Sequence, residues 1–205
     1  MTPAGGTRAG LTAIDGEPLS PEAERLFDYL RARCAELDIA GIRERVRAAA
    51  SELEQVVDGV PEGDIRRRPV PDKWNIAEIV DHIAQTQIRS AEELRHLFAG
   101  RRPPGPPVYE ALRTGAAAWA PWQELVDGLR SANHELIELL ESAPGAAEER
   151  GVTARTILVI TRALPDGSTG PQIFPVDLDW REYALVQRLH LLDHRTQVRK
   201  LRQLL

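Results

Sequence analysis

One cysteine, Cys34, stands in a chain of 205 residues, too few for an internal disulfide and, on its own, for a thiolate metal cage. No stretch approaches the roughly 18 consecutive apolar residues that a spanning helix needs, so membrane insertion is not expected. An excess of positive charge is missing as well. The formal net charge is −5, and apart from Arg66, Arg67 and Arg68 the basic residues are scattered among acidic ones. That pattern offers no track for a phosphate backbone, and nucleic acid is not an expected partner. The first 15 residues lack a basic cluster followed by an apolar run, so they do not read as a secretory signal. A reducing, cytoplasmic setting follows as the expectation.

What is present is helical periodicity with clear punctuation. The length suits one well-buried core, read as a flexible tail over residues 1–19 and a single domain over residues 20–205. Ser20 before Pro21 predicts a helix over 21–37. A second helix is predicted over 39–58, closed by Gly59, Val60 and Pro61. Pro69 and Pro71 keep 61–73 as a loop. Asn75 with Glu78 three places on is a variant of the reciprocal capping box and opens a helix to 98. A further helix is predicted over 121–142, and Asp179 with Glu182 repeats the box before a last helix that runs to the C-terminus. Between them, residues 153–174 are rich in β-branched side chains around the turn residues Pro165, Asp166, Gly167 and Ser168, which points to a small hairpin. The expected fold class is mainly α, a four-helix bundle with an extra N-terminal helix and this hairpin inserted before the last helix.

Histidines carry the candidate chemistry. His190 and His194 are four apart on one helix, about 40° apart around its axis and roughly 6 Å along it, so both rings can reach one ion. They interrupt a face that also holds Tyr183, Val186 and Leu201. Buried imidazoles need partners, and a metal satisfies two at once; satisfied core histidines are the plainer alternative. For a third ligand, His82 sits between Ile79 and Ile83 and can point into the bundle. His96 and His134 compete, yet their charged and polar neighbours favour solvated surface positions.

The stretch KWNIAEIVDH at residues 73–82, together with LHLLDHRTQ at 189–197, resembles the two signature segments of the DinB-like (YfiT/DinB) superfamily of metalloproteins. The resemblance covers 39–205 and leaves the first helix and the 153–174 insertion outside the shared core. Asn75 stands where members commonly have serine, and both residues cap helices. The resemblance implies a four-helix bundle with a metal at one end of its core, ligated by His82, His190 and His194. It also implies a metal-dependent transferase or hydrolase that activates water or a low-molecular-weight thiol, such as bacillithiol or mycothiol. Three imidazoles leave a coordination position open, as catalytic metal sites do. Zinc, nickel and iron all accept imidazole, so ligand type does not choose among them.

Around the expected ligands, Glu78 is one turn before His82 and is a candidate to orient its ring, although the helix cap competes for the same carboxylate. Gln197, three residues after His194, is a second candidate to support a ligand, with a plain position at the core edge as an equal alternative. Asp81 and Asp193 point about 100° away from the histidines that follow them, which favours solvent or an ion pair with Arg195 or a neighbouring helix. Trp74 reads as a packing residue where the helix begins, and Cys34 as structural. Two other readings stay open at this point: a non-catalytic metal-binding stress-response or interaction module, and a metal-free interaction bundle. The expected partner is a small molecule, and a homodimer is left open.

Overall fold

Among the described residues, side-chain oxygens start four of the five α-helices. Ser20 Oγ accepts from the Ala23 amide at 3.3 Å and opens α1 (Pro21–Glu36). Asp38 Oδ1 accepts from Gly41 at 2.8 Å and opens α2 (Ile39–Asp58). Asn75 and Glu78 form the reciprocal box, each side chain 2.9 Å from the other's amide, at the head of α3 (Ile76–Phe98). The helix α4 (Trp122–Ser142) has only Pro121 before it, and α5 (Trp180–Leu204) opens on the Asp179–Glu182 box. The computed structural model describes residue 13, residues 16–143 and residues 151–205.

Four of these helices form the bundle. α2 packs on α4 and α5, and α3 packs on the same two, so α2 lies diagonal to α3. Buried Ile76, Ile79, Ile83 and Leu94 give α3 its apolar face, which meets a core built from Ile42, Val46 and Leu53 of α2 and Leu129, Leu136 and Leu140 of α4. α3 and α5 run antiparallel, because Ser90 meets Tyr183 near one end and His82 meets His190 near the other. No helix among the described residues is long and apolar enough to cross a membrane.

α1 lies outside the bundle against α5 and the first strand of a hairpin, β1 (Ala154–Ala163) with β2 (Thr169–Leu178). The hairpin reaches four residues beyond the predicted end at 174. The two prolines in β2 explain how: Pro171 lies opposite Thr161 and Pro175 opposite Ile157, alternate positions where a missing N–H costs no ladder bond if it points away from β1. One face of β2 is buried through Gln172, Phe174, Val176 and Leu178. Of the expected tail, positions 1–12, 14 and 15 lie outside the described residues. Its described end is clasped: the Gln172 side chain accepts from the Ser20 amide at 3.0 Å and donates to the Pro18 carbonyl at 2.9 Å.

Candidate metal centre

His82 lies two turns into α3, and the Asn75 cap sets where that helix starts; His190 and His194 come from the middle of α5. Their rings converge. His190 Nε2 is 3.1 Å from His82 Nε2 and 2.9 Å from His194 Nε2, and one ligand atom from each of the three falls within 4.8 Å of the others. His194 is buried, while His82 and His190 retain some access. His134 is exposed and pairs with Glu138 at 3.1 Å, and His96 is in the last turn of α3, so neither joins the cluster.

The outward nitrogens decide which atoms carry protons. His82 Nδ1 is 2.9 Å from the Leu112 carbonyl, which can only accept, so that nitrogen holds the hydrogen and Nε2 keeps a lone pair. Gln197 donates its amide to Asp193 Oδ2 at 2.9 Å, which turns its oxygen toward His194 Nδ1 at 3.1 Å. His194 is therefore also Nδ1–H, with a lone pair on Nε2. His190 faces both lone pairs with one nitrogen and has at most one proton to share. Its Nδ1 is buried with no hydrogen-bond partner among the described residues. No assignment of protons satisfies the three rings together. A cation does: bonds of about 2.0–2.1 Å meeting at tetrahedral or octahedral angles hold nitrogens about 2.9–3.4 Å apart, which matches the two separations that His190 makes, 3.1 and 2.9 Å. The donor set fits a divalent transition metal.

Burial lowers all three basicities, and the rings also repel one another's charge. His190 titrates well below an ordinary histidine, burial being the main cause. His194 is lowered to about 4, and His82 is lowered by burial too, against the help of the Leu112 carbonyl. The lone pairs are thus free at neutral pH. In chelator-treated protein the unfolded chain, with histidines near 6.5, binds more protons than the folded one. Stability supplied by this difference is whole above pH 6.5 and is lost as pH falls toward about 4, with a slope of up to about 1.4 kcal/mol per pH unit for each ring. Urea titrations at several pH values should show that decline, and it should flatten in His194→Ala.

Several neighbours differ from the sequence expectation. Asp81 is not in solvent and does not pair with Arg195, which meets Glu52 instead. It is buried and accepts from the Thr114 amide at 3.0 Å, the Gly115 amide at 3.1 Å and the Thr114 hydroxyl at 2.7 Å. Trp74 does more than pack at the helix start: its ring centroid is 4.9 Å from that of His82 and 6.4 Å from that of His194, nearly parallel to the latter. The Arg113 guanidinium covers Trp74 at 4.9 Å. Glu78 serves the cap and accepts from Arg68 at 2.7 Å and Arg113 at 3.3 Å, while the second nitrogen of His82 goes to Leu112. Leu112, Arg113 and Thr114 belong to the long connection between α3 and α4 and carried no periodic signal. Two surface clefts, of about 530 and 350 Å³, flank α4 and include none of the three histidines.

Comparison with known proteins adds a family. The DinB superfamily model matches residues 45–168, more than half of the chain. This protein belongs to the DinB superfamily. The matched segment includes His82 and ends before α5, so the contribution of His190 and His194 rests on the geometry above. Among solved structures, a mycothiol-dependent maleylpyruvate isomerase and a mutant of it each align with a TM-score of 0.57 at 12% identity, over 80% of this DinB-superfamily chain and 62% of theirs. That likeness shows a shared fold, and this chain spans less than two thirds of the isomerase. A four-helix bundle protein, TT2238, aligns with a TM-score of 0.49 at 14% identity, over 80% of this chain and 99% of that one. No curated protein matches.

Proposed function

We propose that His82, His190 and His194 hold one divalent transition metal, zinc or nickel in the first place and iron as a further option, at a centre that activates a small thiol or water for transfer or hydrolysis. The observation that supports this reading is the meeting of three Nε2 atoms at separations of 2.9–3.1 Å around His190, with the protons of His82 and His194 fixed on their outward nitrogens. An ion held by these three imidazoles would supply Lewis acidity that lowers the pKa of a thiol or water bound to it.

The protein's own groups prepare the ligands. The Leu112 carbonyl and the Gln197 amide oxygen each accept an Nδ1–H, which fixes ring orientation and raises the basicity of Nε2. Asp193 holds the Gln197 amide the right way round. Trp74 covers the flank of His82 and His194 and keeps water from that side. A small-thiol partner is favoured by the likeness to an isomerase whose name records dependence on mycothiol.

The test is turnover. Protein purified without added metal should conjugate one of a panel of electrophiles with one of several low-molecular-weight thiols, lose that activity to chelator, and regain it on adding back zinc or nickel. Bound metal with no chelator-sensitive turnover of any thiol, and no hydrolysis, would instead favour the non-catalytic module.

A further inference from the structure

Asp81 and His82 are consecutive in α3, and their side chains leave the helix about 100° apart. Both nevertheless end on the same loop. His82 Nδ1 meets the Leu112 carbonyl, and two residues later Thr114 and Gly115 present three donors to Asp81. The Thr114 and Gly115 amides both reach Asp81 Oδ2, and the Thr114 hydroxyl takes Oδ1. Successive amides that converge on one oxygen form a small anion-binding nest. Gly115 makes the nest accessible, with φ of +80°, a region where a side chain would strain the backbone. The carboxylate is only 3% exposed, so it has given up hydration for these neutral donors, a large outlay for a contact that serves a surface connection alone.

We infer that Asp81 is a positioning residue for the metal centre: by gripping Thr114 and Gly115 it fixes the Leu112 carbonyl against His82 Nδ1, and so sets which nitrogen of His82 is left to bind. The inference builds on the proposed metal-binding reading, although its central contact exists in the metal-free protein. Besides that grip, the contacts nearest the carbonyl are those of the His82 ring itself and of the neighbouring Arg113 side chain. Without the grip the ring exchanges its proton between nitrogens, and a proton on Nε2 removes the ligand. The same loop also carries Arg113 onto Trp74, and the backbone carbonyls of Ala117 and Ala120 farther along accept from Arg66. Those anchors keep the connection near the bundle end, whereas Asp81 sets the register of Leu112.

The experiment compares wild type with Asp81→Asn, in which an NH₂ group must face one of the donors that the carboxylate accepted. Nitrogen-15 imidazole spectra of the metal-free proteins, with His82 assigned by its absence in His82→Ala, report the tautomer; competition with a chromogenic chelator reports Zn²⁺ affinity. The expected result is an Nδ1–H ring at His82 in wild type, a mixture of tautomers in Asp81→Asn, and affinity lower by about 10–100-fold. Thr114→Val, which loses the hydroxyl's bond to Asp81 and the one it accepts from the Ala116 amide but keeps both backbone donors to Asp81, should move both readouts less and in the same direction, and Thr114→Ser should restore them. A folded Asp81→Asn protein with a fully Nδ1–H His82 and wild-type affinity overturns the inference. Should that variant fail to fold, unchanged tautomer and affinity in Thr114→Val overturn it instead. If wild type itself takes up no Zn²⁺, the proposed metal function fails, and the tautomer comparison still decides the role of Asp81.

Discussion

Replacing His190 by alanine is expected to reduce bound metal from near one ion per chain to less than about a tenth, the largest change any single substitution should make at this centre. His190 is the ring both others share, 3.1 Å from His82 and 2.9 Å from His194, so its removal leaves two ligands with no nitrogen between them. The metal-free protein should respond very differently. Losing the ring leaves a void, which costs stability, but it also removes a buried Nδ1 with no partner among the described residues, whose unmet hydrogen bond is worth about 1–3 kcal/mol. The two offset, and wild type and variant in chelator should melt within a few degrees of each other. Added metal at about 1,000 times its Kd stabilises the form that binds it by about 4 kcal/mol, and only wild type should show that gain. His134→Ala, at an exposed position paired with Glu138, should leave metal content unchanged. Full occupancy in His190→Ala, measured by elemental analysis, would sink the three-histidine assignment.

The part of this centre that could be read from the sequence is the part built by local rules. Ser20, Asn75 and Asp179 announce helix starts because a short oxygen-bearing side chain satisfies amides within three residues of itself. The spacing of His190 and His194 converts directly into a shared face, since helix geometry is regular. His82 needed more than spacing. Its place on the shoulder of an apolar face allowed convergence with α5, and the family resemblance selected it over His96 and His134. Gln197 was legible for the same local reason as the pair, being three residues from His194 on one helix.

The partners on the loop between α3 and α4 were hidden because their contacts span 30 or more residues of chain and use backbone atoms. A carbonyl has no residue type, so nothing at Leu112 marks it as the acceptor for His82. Asp81 was misread for a related reason: its angle from His82 on the helix is correct, yet angle alone does not say whether water or a returning loop lies in that direction. Trp74 was placed correctly at the head of α3, but its approach to His194 depends on how α3 and α5 cross, a tertiary quantity. At the hairpin the expected end at 174 falls short of Leu178, because the alternate register that lets β2 hold Pro171 and Pro175 is set by pairing with β1 and not by the strand's own sequence.

That hairpin carries the second large effect, this time on stability. Phe174 of β2 is fully buried, and its ring centroid is 5.6 Å from that of Phe27 on α1, tilted by 58°, a favourable aromatic arrangement. This pair of rings therefore joins the two additions to the four-helix core to each other, with Gln172 of the same strand face clasping the backbone before α1. Phe174→Ala should cost about 3–5 kcal/mol, the sum of lost burial and an unfilled cavity, and for a chain of this size lower Tm by about 6–20 °C. Metal content should not follow, because the three histidines sit on α3 and α5 and contact neither ring. Urea unfolding monitored alongside elemental analysis separates the two quantities. A loss under about 1 kcal/mol would mean that α1 and the hairpin are loosely attached to the bundle. A loss of metal in folded Phe174→Ala would mean that the hairpin helps hold α5 in register, so that the position of His190 depends on packing well away from it.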